Sequence, residues 1–246
     1  MCERLMSQKQ TTAPLIVIMG PTGAGKTELA LTLAGLLEGE VVSADSRQMY
    51  IGMDIGTDKP AKRPALPPAR SEPLIVRGVP HYLIDILTPD QRYSAAEFCE
   101  DATPIIASIH RRGRIPIVAG GTGFYIRVLV GDQTLPDVPP DAPFRAWAEH
   151  QSLDVLIQEL RSRAPDLYAR VDTLKNRRRV TRALEIARGR RGSRKSQQTH
   201  RFSVGPLLKL VLLPPLDRLR KRLEERVDDQ FRRGFTEEVR HLTETY

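Results

Sequence analysis

Five consecutive apolar residues over 15–19 run into Gly20 and a polar, glycine-rich stretch, after which Leu29, Leu33, Leu36 and Leu37 recur at helical spacing. A short apolar run stopped by glycine predicts a buried strand, and the recurrence predicts a helix over 28–38 with Gly39 placed to cap it. EVVSAD, 40–45, predicts a second strand ending on Asp45, and residues 46–50 leave it as a loop or short helix. Residues 59–80 hold Pro60, Pro64, Pro67, Pro68, Pro73 and Pro80 and read as an irregular surface loop. A short strand is expected over 81–86. Ser94 and Glu97 have the spacing of a capping box for a helix reaching about Arg112, with a kink at Pro104 and Gly113 closing it. The apolar run 115–119 predicts a further strand, emptying into a flexible loop of Gly120, Gly121, Thr122 and Gly123.

The texture then changes. Pro136, Pro139, Pro140 and Pro143 mark a linker, and helical spacing such as Leu153, Leu156, Leu160 and Val180, Leu184 continues to about Gly189. Residues 192–200 are polar and expected to be mobile. Strand pattern returns over 207–213. Leu219, Leu223, Val227 and Phe231, four residues apart, predict a long amphipathic helix ending at Gly234. Thr236 is placed to cap one more helix, running to Tyr246.

Within that pattern, the first turn carries chemistry. Gly20, Pro21, Thr22, Gly23, Ala24, Gly25, Lys26 and Thr27 have the spacing of a P-loop. The glycines let successive N–H groups turn around phosphate oxygens, the following helix presents its positive end, and Lys26 adds a point charge. The hydroxyl of Thr27 suits a magnesium ion. A nucleoside triphosphate or any diphosphate ester satisfies these donors. The fold class expected is therefore α/β, a P-loop NTPase-like parallel sheet flanked by helices with an inserted all-helical subdomain. Its core is assigned to 14–136 and 206–246, the insertion to 137–205, and 1–13 to a flexible tail.

Cys2 and Cys99 are too few for a disulfide scaffold, and no apolar run approaches membrane-spanning length, so a cytoplasmic protein is expected. The net charge of +8 is localised: residues 175–201 hold 11 Lys and Arg against Glu185 alone, leaving the remainder slightly acidic. Such concentration beside a phosphate site is the footprint of a polyanion partner, a solvated face being the plainer alternative. A P-loop ATPase or GTPase would place an acid after an apolar strand, but 115–119 ends in glycines. The carboxylate delivered at a strand end is Asp45, a general base facing a bound acceptor or else a magnesium or helix-cap aspartate.

GPTGAGKT, SADSRQMYIGMDIGTDKP, VPHYLID, IPIVAGGTGFYI and RRRVTRALEI resemble the tRNA dimethylallyltransferases, also called tRNA isopentenyltransferases, over most of residues 15–240. The resemblance implies dimethylallyl diphosphate as donor, held by the P-loop, and the adenine next to the anticodon of tRNA as acceptor, its N6 amine giving up a proton to Asp45. Magnesium on Thr27, with Lys26, Arg127 and Arg182, would neutralise the departing diphosphate; each arginine has an alternative as a surface ion-pair partner. Asp45, Ser46, Arg47, Gln48, Thr122, Arg145, Arg178, Arg179, Val180, Thr181 and Arg182 match tRNA-facing positions, with Thr122 and Arg182 also counted among the catalytic residues. A monomer is expected. Two departures stand out: a longer loop over 59–79, and Tyr82 where a second histidine is common. Members of the family continue beyond Tyr246, so this chain is expected to lack part of the binding surface. Two other classes remain open, a P-loop kinase of a small or nucleoside acceptor and a non-catalytic RNA-binding protein.

Overall fold

The computed structural model describes residues 14–62, 69–136, 138–189 and 206–246. The tail over 1–13 and the polar segment over 192–200 lie outside the described residues, as does all of the basic stretch beyond Gly189. By internal contacts the chain divides into one unit of 1–133 with 201–246 and a second of 134–200.

In the first unit, β1 (Leu15–Met19), β2 (Gly39–Ser43), β4 (Val79–Tyr82), β5 (Ile115–Gly120) and β6 (Leu207–Val211) are parallel, and β3 (Leu74–Val76) closes one edge antiparallel to β4. The order is β3-β4-β2-β5-β1-β6. β1 therefore lies inside the sheet, which is why its five residues are apolar without alternation. Ile16, Ile18, Val41, Ile117 and Ala119 pack with Ala30 and Ala34 of α1 (Lys26–Leu37), while the opposed Val17, Val42 and Val118 are equally buried. α2 (Ala95–Arg111) lies against β2 and β5 and begins with the expected Ser94/Glu97 capping box.

Several expectations need correction. Glu38, not Gly39, takes the left-handed conformation after α1 (φ 50°), and Gly39 already opens β2. The proline-rich stretch contains β3 and the start of β4, because Pro80 sits on a short outer strand pair where a missing N–H costs one ladder bond. The glycine loop after β5 is short: Thr122 leads into α3 (Gly123–Leu129), anchored by buried Ile126 and Leu129. Gly234, not Thr236, stands at the N-cap of α9 (Phe235–Thr245). α8 (Leu216–Arg232) has the expected length, but its apolar stripe is only partly covered, with Val227 and Phe231 exposed.

The second unit contains α4 (Ala142–Glu149), α5 (Leu153–Arg163), α6 (Pro165–Tyr168) and α7 (Arg177–Gly189). Its core is Phe144, Leu156, Leu160, Leu167, Val180 and Leu184.

Candidate active site

The parallel strands β1, β2 and β5 end on one rim, where open α/β sheets place their chemistry. β1 runs into the P-loop, whose Ala24 N–H donates to the Pro21 carbonyl at 3.2 Å before α1 begins at Lys26. Lys26 Nζ donates to the same carbonyl at 2.8 Å. Burial pushes the Lys26 ammonium below its ordinary value; the nearby Asp45 charge opposes this and Arg226 adds to it. The lysine that opens α1, the aspartate beyond β2 and an arginine of α8 therefore share one electrostatic environment.

The neighbouring strand end is drawn in tightly. A β-carbon at Gly120 would lie 2.1 Å from the Ala44 carbonyl oxygen, so only glycine lets β5 pass this close to β2. The consequence is a staple between the two loops. Thr122 N–H donates to Ala44 O at 3.1 Å. Ser46 N–H donates to Thr122 Oγ1 at 2.9 Å, and that hydroxyl donates to Ser46 Oγ at 3.1 Å. Asp45 Oδ1 accepts from Arg47 N–H at 2.9 Å, which orients the carboxylate. Gln48 is held from both ends: its Nε2 donates to the carbonyls of Thr57 (3.3 Å) and Asp58 (3.4 Å), and its Oε1 accepts from Ser43 Oγ at 3.5 Å. Arg47 and Arg127 are exposed, Arg127 on α3.

α8 covers the P-loop: the side chains of Leu219 and Leu223 lie 3.3–3.4 Å from where a β-carbon at Gly23 would stand. It also delivers Arg226, a cation that the sequence analysis missed. On an amphipathic helix rich in arginine, spacing alone does not single it out. Lys59, assigned to a surface loop, is buried in contact with Asp85, with Asp54 at 2.8 Å and with the Tyr50 carbonyl at 2.6 Å. Only an unusually buried lysine betrays that role, and burial is not readable from a proline-rich stretch.

The remaining arginines belong to the second unit. Glu185 is fully buried and accepts from Arg145 Nε (2.7 Å) and Nη2 (3.0 Å), Arg182 Nη1 (2.9 Å) and Asp141 N–H (2.9 Å). Burial by itself would raise its pKa, but the hydrogen bonds from Arg145, Asp141 and Arg182 outweigh it and hold the carboxyl below the usual range. Arg182 Nη2 also donates to the Val138 carbonyl at 2.6 Å. Arg145 and Arg182 are thus ion-pair partners of one carboxylate. The Val180 side chain is buried in the helical core with Leu156 and Leu160, so any contact of this residue with a nucleic acid would fall to its backbone. Arg178 is exposed, Arg179 is exposed and paired with Asp172, and Thr181 is half-buried.

Among the described residues no group of three or more His, Cys, Asp or Glu could hold a metal ion. A magnesium ion keeps several waters and takes its other oxygens from substrate phosphates and one or two protein groups. Thr27 Oγ1, uncommitted to any hydrogen bond among the described residues, would fit that role. No helix of the described residues is long and apolar enough to cross a membrane.

The family model for IPP transferase matches residues 48–246. The tRNA dimethylallyltransferase of Thermomicrobium roseum is 44% identical over 237 residues, covering 94% of this chain and 68% of that protein. That of Thermus thermophilus is also 44% identical over 237 residues, with 94% and 72% covered. Among solved structures, the full-length tRNA isopentenylpyrophosphate transferase of Bacillus halodurans is 34% identical with a TM-score of 0.58, covering 94% of this chain and 70% of its own. A eukaryotic dimethylallyltransferase acting on tRNA is 30% identical with a TM-score of 0.71, covering 95% and 56%. With four-fifths of its length matched by the family model and its P-loop rim aligned within these relatives, the chain belongs to the IPP transferase family.

Proposed function

We propose that this protein transfers a dimethylallyl group from dimethylallyl diphosphate to the N6 amine of the adenosine adjacent to the anticodon in tRNA. The observation that carries the reading is that β1 and β2, parallel in one sheet, end on the same rim at the P-loop and at Asp45, whose charge opposes the lowering of the Lys26 pKa. A diphosphate in the P-loop and an acceptor at Asp45 would then meet over a single rim.

The donor's diphosphate is held by N–H groups of the loop over 22–27 and the Lys26 ammonium, with Arg226 as a second cation. Bound magnesium, held by Thr27 and the donor's own oxygens, would supply further positive charge to the leaving group. The N6 lone pair, delocalised into the purine, attacks the allylic carbon as the bond from that carbon to the diphosphate oxygen breaks. The amine proton passes to the Asp45 carboxylate, which the Arg47 N–H keeps oriented. The Ser46 and Thr122 hydroxyls and the Gln48 amide offer hydrogen bonds to the extruded base. Arg127 lies on the adjoining α3 as a further exposed cation. Arg178 and the basic stretch of the helical unit supply phosphate contacts to the anticodon stem, a grip that carries no sequence information. Arg145 and Arg182 act there by holding α4 to α7 through Glu185. The protein works as a cytoplasmic monomer.

The test is mass spectrometry of tRNA incubated with the protein, magnesium and dimethylallyl diphosphate. A mass gain of one dimethylallyl group in place of hydrogen, on the base beside the anticodon, is expected. Transfer of a terminal phosphate from ATP without uptake of the prenyl group would overturn the reading.

A further inference from the structure

We propose that Glu238 is a positioning residue for the acceptor side of this site, setting the Gln48 amide through a loop it holds; the inference rests on the function proposed above. Among the described residues between β2 and β3 the one ladder contact is the bridge of Tyr50 to Leu87, which leaves the loop through Asp54 and Asp58 beyond it without a strand partner. Buried Lys59 ties one side of this loop to Asp54 and the Tyr50 carbonyl, and α8 and α9 hold the other. The Glu238 carboxylate accepts three consecutive N–H groups: Asp54 at 2.8 Å and Ile55 at 2.6 Å on Oε2, and Gly56 at 3.0 Å on Oε1. Successive amides converging on one anion form a nest, and bonds to a charged acceptor are stronger than neutral ones.

The neighbouring residues fit the loop to the same surface. Gln230 Nε2 donates to the carbonyls of Ile55 (3.0 Å) and Gly56 (3.1 Å). Phe235 lies so close that a β-carbon at Gly56 would stand 2.6 Å from its ring. The chain then passes directly into Thr57 and Asp58, whose carbonyls receive the Gln48 amide. Gln48 stands three residues beyond Asp45, so the direction of its amide decides which edge of a purine it can meet. A carboxylate more than 180 residues along the chain therefore determines the orientation of a base-reading side chain.

The donor side is connected more loosely. Arg226 reaches Asp58 only at 3.8 Å, with both side chains partly exposed, and such a pair contributes little. Disturbing the nest should thus affect RNA more than the diphosphate.

Glu238→Gln keeps one acceptor oxygen and turns an NH2 group toward the loop's N–H groups. In steady-state kinetics on the full chain, the KM for an anticodon stem-loop RNA should rise about tenfold or more, the loss of one or two charge-assisted bonds, while the KM for dimethylallyl diphosphate changes by less than about twofold. Glu238→Asp, which keeps the charge, should recover part of the RNA affinity. The Gln48→Ala, Glu238→Gln double variant should be no worse than Gln48→Ala alone, because both changes break one connection. If Glu238→Gln does not fold, Gln230→Ala removes the other side of the clamp and should show the same selective rise. Additive losses in the double variant, or equal changes in both KM values, would overturn the inference while wild-type transfer leaves the proposed function standing. Absence of transfer by the wild-type protein would overturn both.

Discussion

Replacing Glu185 with glutamine removes one charge and one acceptor oxygen from a carboxylate that four N–H groups surround. Summing four charge-assisted bonds would overestimate the cost, because the donors differ in their alternatives. Arg145 and Arg182 keep 35% and 32% of their side-chain surface exposed and can turn to water. The Asp141 N–H, at the start of α4, has no such recourse unless the glutamine oxygen remains on it. One buried unsatisfied donor, with two partly solvated guanidinium groups losing their counter-charge, places the loss at about 2–3 kcal/mol. The chain's single tryptophan, Trp147, lies in the same unit with its ring 5.4 Å from that of Phe144, so its fluorescence during urea denaturation reports on this core. The pH dependence supplies a second readout. A carboxyl whose folded pKa is depressed contributes stability that is present above its unfolded value and lost as pH falls through the folded one. Glu185 is such a group, so the wild-type helical unit should weaken below pH 4.5, its ordinary value, and the variant should lack that increment. A loss under about 0.5 kcal/mol, with an unchanged acid limb, would refute the assignment of Glu185 as the ion that holds α4 to α7.

Asp45→Asn preserves an acceptor for the Arg47 N–H but cannot take a proton; kcat should fall by about two to four orders of magnitude with donor affinity nearly intact, measured by single-turnover transfer. Arg226→Ala should raise the KM for dimethylallyl diphosphate about tenfold, the loss of one charged contact. Because Arg226 lowers the Lys26 pKa, its removal should also shift the alkaline loss of donor binding to higher pH, and titration of diphosphate affinity between neutrality and 10.5 checks the sign. Arg178→Ala should weaken tRNA binding and reduce the slope of log affinity against log salt by roughly one, whereas an unchanged slope would return Arg178 to a solvated face.

The elements of the first unit were legible wherever the signal is local. A fully apolar run ending in glycine is enough to mark β1 and β5, and the serine and glutamate at 94 and 97 are enough to start α2. Three-residue β3 and seven-residue α3 were not legible, since elements so short complete barely one period of either pattern. α8 shows the converse: its four-residue repeat gave the helix but not how far its stripe is covered.

What the amino-acid sequence determined by itself was the cradle and the strand ends: glycine spacing, a lysine and a threonine at fixed offsets, and an aspartate where an apolar run stops. These follow from backbone geometry over a few residues. Only the tertiary structure decided which groups surround them. Ser46 meets Thr122 across 76 residues, and Glu238 receives the loop at Asp54 across 184. Such partners are selected when the sheet closes and buried polar groups must each find a donor or acceptor, a requirement that no local pattern encodes.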